Sequence, residues 1–218
     1  MGKMPPEEAT PDPLWPETEG PIGLVSASPR RAALLRGAGV PFTVIPPAHG
    51  EEIPSGASPE EEAVRFAEEK ALSAAGGGGP RILLAADTLV AGEGAPFGKP
   101  AGPEEAARML RALSGRWHRV VTGVCLLDRK TGRRETGAET TRVLFRELGA
   151  AEIDAYVATG EPLDKAGAYG IQGLGATLVE EIEGDYTSVV GLPVGALRRL
   201  LRRAGWRWAF ADGWVRTG

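Results

Sequence analysis

The sequence predicts an α/β fold built on a mixed β-sheet flanked by helices, and three observations carry the prediction. Short apolar runs alternate with amphipathic helix patterns along most of the chain. The segment "WHRVVTGVCLLDRKTGRRETGAETTRVLFREL" reads as two strands across the turn "RKTGR", which places an antiparallel hairpin in that alternation. The chain has 218 residues, 42% hydrophobic and 25% charged, enough for one globular domain or two small lobes with a sizeable core.

The opening "MGKMPPEEATPDPLWPETEGP" is acidic, proline-rich and without an apolar h-region, so residues 1–20 read as a flexible tail and not as a signal peptide. The folded domain is expected over 21–204. Ile22 to Ser26 can form a short buried strand. Ser28 and Pro29 then suit the cap and first turn of a helix whose apolar face is Leu34, Leu35 and Ala38, with Gly39 ending it. "VPFTVIP" is a second strand. In "SPEEEAVRFAEEKALSAAGGGG", Ser58 caps, Pro59 starts the helix, Glu60 to Glu62 suit its N-terminal dipole, and the glycine run stops it. "RILLAADTLVAG" is a buried strand interrupted by Asp87 and Thr88, and "GPEEAARMLRALSG" an amphipathic helix. After the hairpin come the helices "GAAEIDAYVATGEP" and "LPVGALRRLLRRAG". Residues 205–218, ending in "WRWAFADGWVRTG", form an aromatic tail without clear periodicity, suited to packing on the domain or at an oligomer contact.

Net charge is −4, which argues against sequence-independent binding to nucleic acid or to an anionic membrane surface. No apolar stretch is long enough to span a bilayer. The lone Cys125 excludes an internal disulfide and fits a reducing cytosol. With one cysteine and two histidines, His49 and His118, a zinc cage has too few ligands. Any metal should be a hard cation on oxygen.

Four stretches could carry chemistry. "LVSASPRRAALL" puts Ser26, Ser28, Arg30 and Arg31 at a strand-to-helix turn. This is either a phosphate site, made by helix N–H groups, hydroxyls and guanidinium forks, or a capped helix with surface arginines. Asp87 breaks an apolar strand, where an unpaired carboxylate is costly. It is either a metal ligand or general base at the carboxyl edge of the sheet, or a carboxylate satisfied at a strand end. Lys70 in "AEEKA", Lys99 in "FGKP" and Glu51 and Glu52 in "HGEEIP" each read alone as solvated side chains. In "EPLDKAGAYGIQGLGATLVEEIEGDYTSVVGLP", dense glycines let backbone approach a ligand. Gln172 there offers either a donor–acceptor edge for a nucleobase or a solvated amide.

Taken in order, "SASPRRAALL", "AADTLV", "GKP", "MLRALSGRWHRVVTGV", "GEPLDKAGAYGIQG" and "GDYTSVVGLP" resemble the motifs of the Maf family of nucleoside triphosphate pyrophosphatases, over roughly Ile22 to Arg203. The resemblance implies a twisted mixed sheet, two lobes around a central cleft, often a homodimer, and a cytoplasmic enzyme. The implied reaction cleaves a nucleoside triphosphate between its α- and β-phosphates with a divalent cation (Mg, Mn or Co). Asp87 matches the proton acceptor. Ser26, Arg30 and Arg31 match the phosphate loop, with Ser28 beside them. Glu52, or Glu51 if the loop length differs, matches an acidic residue facing the metal together with Asp87. Lys70 and Lys99 match lysines of the phosphate cleft, and Arg30, Thr88 and Gln172 match positions tied to substrate choice. "AYGIQG" fits the branch acting on dTTP and UTP. The sister branch for 7-methyl-GTP has Ser–Asp–Gln in place of Ala86, Asp87 and Thr88, and a glutamate near Gln172. The competing readings are a methylated-purine pyrophosphatase and a non-catalytic septation regulator. Asp87, Lys70, Lys99 and Glu52 together favour catalysis over the latter.

Overall fold

The computed structural model describes residues 21–48, 55–92, 96–209 and 213–216. The expected tail at 1–20, and Glu51 and Glu52, lie outside the described residues. The first half lays down β1 (Ile22–Val25), α1 (Pro29–Gly37), β2 (Phe42–Ile45), α2 (Pro59–Ser73) and β3 (Ile82–Ala91). Both helices start as the caps dictate. Ser28 Oγ accepts the Arg31 N–H, and Ser58 and Glu61 form a reciprocal capping box. β1 pairs in parallel with β2 and β3, as β–α–β connections through α1 and α2 allow.

Past β3 come β4 (Pro96–Phe97), α3 (Pro103–Leu113), the hairpin of β5 (Trp117–Asp128) and β6 (Arg134–Phe145), and α4 (Ala150–Ala158). β5 runs antiparallel to β3 over ten residue pairs, from Ile82 opposite Asp128 to Ala91 opposite Arg119. Three 3₁₀ turns between Glu161 and Leu178 lead to β7 (Val179–Glu183), α5 (Tyr186–Val190) and α6 (Val194–Arg203). Among the described residues the main sheet has seven strands in the order β2-β1-β3-β5-β6-β7, with β4 also on β3. The glycine-rich stretch after Glu161 is therefore not a plain connector: it supplies an edge strand and a short helix.

The aromatic C-terminus, read as a tail without clear periodicity, has regular structure of its own. It forms a two-stranded ribbon, β8 (Trp206–Ala209) and β9 (Gly213–Arg216). The alternation of Trp206, Arg207 and Trp208 covers too few residues to stand out as a strand in the sequence. Trp206 packs on the core beside α6.

Strand alternation sorts the core into layers. Leu84, Ala86, Val124 and Leu126 face α1 and α6, and Leu83, Ala85, Cys125 and Leu127 face Ala67 and Ala71 of α2. Beyond them Val90, Val120, Val143 and Phe145 lie under α3 and α4, which gives the second lobe. Burial pushes the Cys125 thiol up to about 12, so it packs as a small apolar group and is no nucleophile at neutral pH. Among the described residues no helix is long and apolar enough to cross a membrane.

Candidate active site

The site follows from where β1 stops. β1 accompanies β3 only at Leu83 and Leu84, and β4 joins the same side of β3 at Val90 and Ala91. Between these ladders, among the described residues, Ala85 to Leu89 have a strand partner on the β5 side alone. The result is a notch in the sheet, open to groups from both faces. Asp87 lies in the middle of β3, interrupting it as the sequence reads, so the alternative of a carboxylate satisfied at a strand end does not hold. The carboxyl edge it lines belongs to β1.

On one face of the notch Asp87 pairs with Lys70 from the last turn of α2. The pair is nearly dry, with side-chain exposures of 14% for Lys70 and 6% for Asp87. Lys70 therefore does not behave as the solvated lysine that its acidic helix suggested. Among the described residues no cluster of three or more metal-ligating groups occurs. Glu52, the second proposed oxygen ligand, falls in 49–54, outside them. The described chain resumes at Ser55, which is held firmly. Its hydroxyl donates to buried Glu62 at 2.7 Å, and the Gly56 N–H donates to the same oxygen at 3.1 Å. Ser55 then holds the Glu62 carboxyl down to about 2, with Arg65 adding to the effect. Glu62 thus does more than favour the helix dipole: it anchors Ser55 and Gly56.

On the other face lies the Ser26–Arg31 loop. The Ser28 N–H donates to the buried Ser26 Oγ at 3.1 Å. The Arg31 guanidinium donates to the Gly191 carbonyl at 2.7 Å, to Ser26 Oγ at 3.3 Å and to Thr88 Oγ1 at 3.3 Å. Thr122 Oγ1 donates to the Ser188 carbonyl at 2.9 Å and lies 2.9 Å from Thr88 Oγ1. That carbonyl can only accept, so the Thr122 proton is committed to it. Thr88 must then donate to Thr122 and accept from Arg31. The chain of bonds makes Thr88 a support for Arg31, with its own proton already used.

Arg30 and Arg31 diverge. The Asp164 carboxyl is held below the usual range chiefly by its bond to Lys165, with the charge of Arg30 contributing, so Arg30 looks across at the second lobe. Lys165 donates to Asp164 Oδ1 at 2.6 Å and to the Glu161 carbonyl at 2.5 Å. Lys99 is exposed, two residues past β4, and the preceding Gly98 carbonyl accepts the Gly167 N–H at 3.1 Å. Gln172 is exposed on the same glycine-rich loop. The expected residues thus fall into three groups around β3: Lys70 with Asp87; Ser26, Ser28, Arg31 and Thr88; and Arg30, Lys99 and Gln172 toward the second lobe. Sequence reasoning missed Glu161, Asp164 and Lys165. Their only signal was charge placed between Pro162 and the glycines of "EPLDKAG".

The family model for Maf-like protein matches residues 21–204. A dTTP/UTP pyrophosphatase of Nitratidesulfovibrio vulgaris is 49% identical over 186 residues, covering 85% of this chain and 88% of that protein. One from Moorella thermoacetica is 50% identical over 194 residues, covering 89% and 97%. One from Bacillus cereus is 47% identical over 182 residues, covering 84% and 94%.

Proposed function

The chain belongs to the Maf-like protein family, and we propose from that premise that it is a nucleoside triphosphate pyrophosphatase acting on dTTP and UTP. The products are the nucleoside monophosphate and pyrophosphate. The observation that carries the reading is the notch in β3. There a carboxylate–ammonium pair from one face and an arginine–serine loop from the other meet at an open sheet edge.

The chemistry follows from charge. A triphosphate repels an incoming nucleophile, and cations preset around it lower that barrier most where charge grows in the transition state. Lys70, Arg30 and Lys99 supply positive charge. The first turn of α1 offers backbone N–H groups to phosphate oxygens. Arg31, fixed by Gly191, Ser26 and Thr88, holds this loop in shape. Asp87 accepts the proton of the attacking water as its oxygen bonds to phosphorus and the α–β anhydride breaks. Asp87 would offer a hard oxygen to a divalent cation, with Glu52 as its proposed second ligand, and the substrate's phosphates would complete the donor set. When bound, such an ion lowers the pKa of water and offsets phosphate charge. Chelation should then abolish pyrophosphate release, with Mg, Mn or Co restoring it. Full activity in excess chelator would remove the metal from the reading.

Gln172 supports the pyrimidine assignment. Thymine and uracil present an N–H between two carbonyls, and a carboxamide can accept from the first while donating to one of the others. In Gln172→Glu the donor is lost and an anion faces a carbonyl. The kcat/KM for dTTP and UTP should fall about 10- to 100-fold, the cost of leaving a polar group mispaired. Turnover of dTTP, UTP, CTP, ATP, GTP and 7-methyl-GTP by both proteins checks this. A wild type that prefers 7-methyl-GTP overturns the substrate assignment. Absence of pyrophosphate release from every nucleotide would favour a regulatory protein.

A further inference from the structure

We propose that Glu161 is a positioning residue: its carboxylate ties down the backbone immediately after Gln172 and so sets which base the site accepts. The inference rests on the reading of Gln172 as the base-contacting group. Glu161 Oε1 accepts the Gly175 N–H at 2.9 Å and the Tyr156 hydroxyl at 3.0 Å, and Oε2 accepts the Leu174 N–H at 3.1 Å. Its own carbonyl accepts Lys165 Nζ at 2.5 Å. One residue thus joins α4, the Lys165 side chain and two consecutive amides of the loop.

The loop is shaped around this carboxylate. Gly173 has φ +72°, and a Cβ there would fall 2.8 Å from Glu161 Oε2. A Cβ on Gly175 would meet the Gly170 carbonyl at 2.3 Å and the Tyr156 hydroxyl at 2.5 Å. The glycines after Gln172 therefore make room for Glu161 and Tyr156, whatever they do for a ligand. Burial alone would raise the Glu161 pKa, but the Gly175 and Leu174 amides, Tyr156 and Lys165 outweigh it and hold the group ionised at neutral pH. A charged acceptor makes stronger bonds to amides than a neutral one. Gln172 itself is exposed, so its direction depends on the backbone that carries it. A base-reading amide loses discrimination when that backbone wanders by an ångström or so.

Two variants test this. Glu161→Gln keeps the shape, but turns an N–H group toward one of the loop amides. Tyr156→Phe removes only the hydroxyl tether. Selectivity is read as kcat/KM for the pyrimidine triphosphate that the wild type prefers, divided by kcat/KM for ATP. In Glu161→Gln the ratio should fall at least about tenfold through KM for the pyrimidine, while kcat/KM for ATP holds, because the phosphate site is untouched. Tyr156→Phe should give a smaller fall, roughly threefold. In nucleotide-free protein the Leu174 and Gly175 amides should exchange about tenfold faster in Glu161→Gln, with β5 amides unchanged. An unchanged ratio overturns the proposal, even if the amides exchange faster, since Glu161 would then be merely structural. If Glu161→Gln does not fold, an unchanged ratio in Tyr156→Phe overturns it. A wild type without pyrimidine preference refutes the reading of Gln172 alone. The ratio for whichever nucleotide it does prefer then decides the role of Glu161.

Discussion

Asp87→Asn is expected to lower turnover of dTTP at least about 100-fold, the usual scale for losing a general base. Three features of the site support this. The carboxylate is nearly dry, stands on the one stretch of β3 with an open edge, and is held by Lys70 from a different element. An amide of the same shape still accepts from Lys70, so the side chain keeps its place. It cannot take a proton from water. The variant should therefore still bind dTTP within a few-fold of wild type, which isothermal titration can read without turnover. Removing the charge leaves a buried ammonium without its counter-charge, and part of any lost rate could come from a distorted α2. A second buried carboxylate separates the two effects. Asp128 is fully buried and pairs with Arg81, with Nε to Oδ1 at 2.8 Å, at the far end of β3 and β5. Asp128→Asn should lower the unfolding free energy while leaving kcat near wild type. Near-normal turnover by Asp87→Asn, or an equal loss in both variants, would take Asp87 out of the mechanism.

That contrast shows what the sequence could and could not tell. Asp87 and Asp128 both interrupt apolar runs, "LLAADTLV" and "VCLLDRK", and desolvation cost treats them alike. The turn "RKTGR" already places Asp128 at a hairpin end, where the Lys130 N–H donates to it at 2.9 Å, but only the ladder shows that Asp87 lies at an open edge. Helix starts at Ser28 and Ser58 were legible because a cap is a local interaction, decided within four residues. β4 was not, since two residues carry no period. Thr88 was legible as a site residue, but its use was not: the bonds that commit its proton to Thr122 and its acceptor to Arg31 span 34 and 57 positions. Glu161 escaped notice because two of its three carboxylate partners are backbone amides of the glycine-rich loop, which leave no signature in side-chain type. The motif order identified the family even so, because each block reports a local geometry and six together fix a fold.

Gly123→Ala is expected to cost about 3 kcal/mol of stability or more, at or beyond the upper end of ordinary overpacking. A Cβ at Gly123 would fall 2.1 Å from the Ala63 carbonyl oxygen, 2.2 Å from its carbon and 2.5 Å from the Val64 nitrogen. These are backbone atoms of α2, so no side chain can swing aside and the helix must move as a whole. A domain of this size is stable by only about 5–15 kcal/mol, so the loss is a large share of the total. The damage should also reach the chemistry. Gly123 is the ladder partner of Asp87, and Lys70 lies seven residues beyond Ala63 on the same face of α2. Lifting α2 off β5 carries Lys70 away from Asp87, so turnover should fall in molecules that remain folded. Denaturant unfolding and dTTP turnover read the two effects. Gly137→Ala is the matched control, since a Cβ there would meet only Leu200 Cδ2, at an ordinary 3.7 Å. It should change stability by no more than about 0.5 kcal/mol. Trimming the opposing side chain in Gly123→Ala/Ala63→Gly should restore nothing, because the clash is with main chain. Rescue by that double variant, or a Gly123→Ala protein as stable as Gly137→Ala, would mean that α2 is not seated on β5 by the missing side chain. The close approach that sets Lys70 against Asp87 would then need another cause.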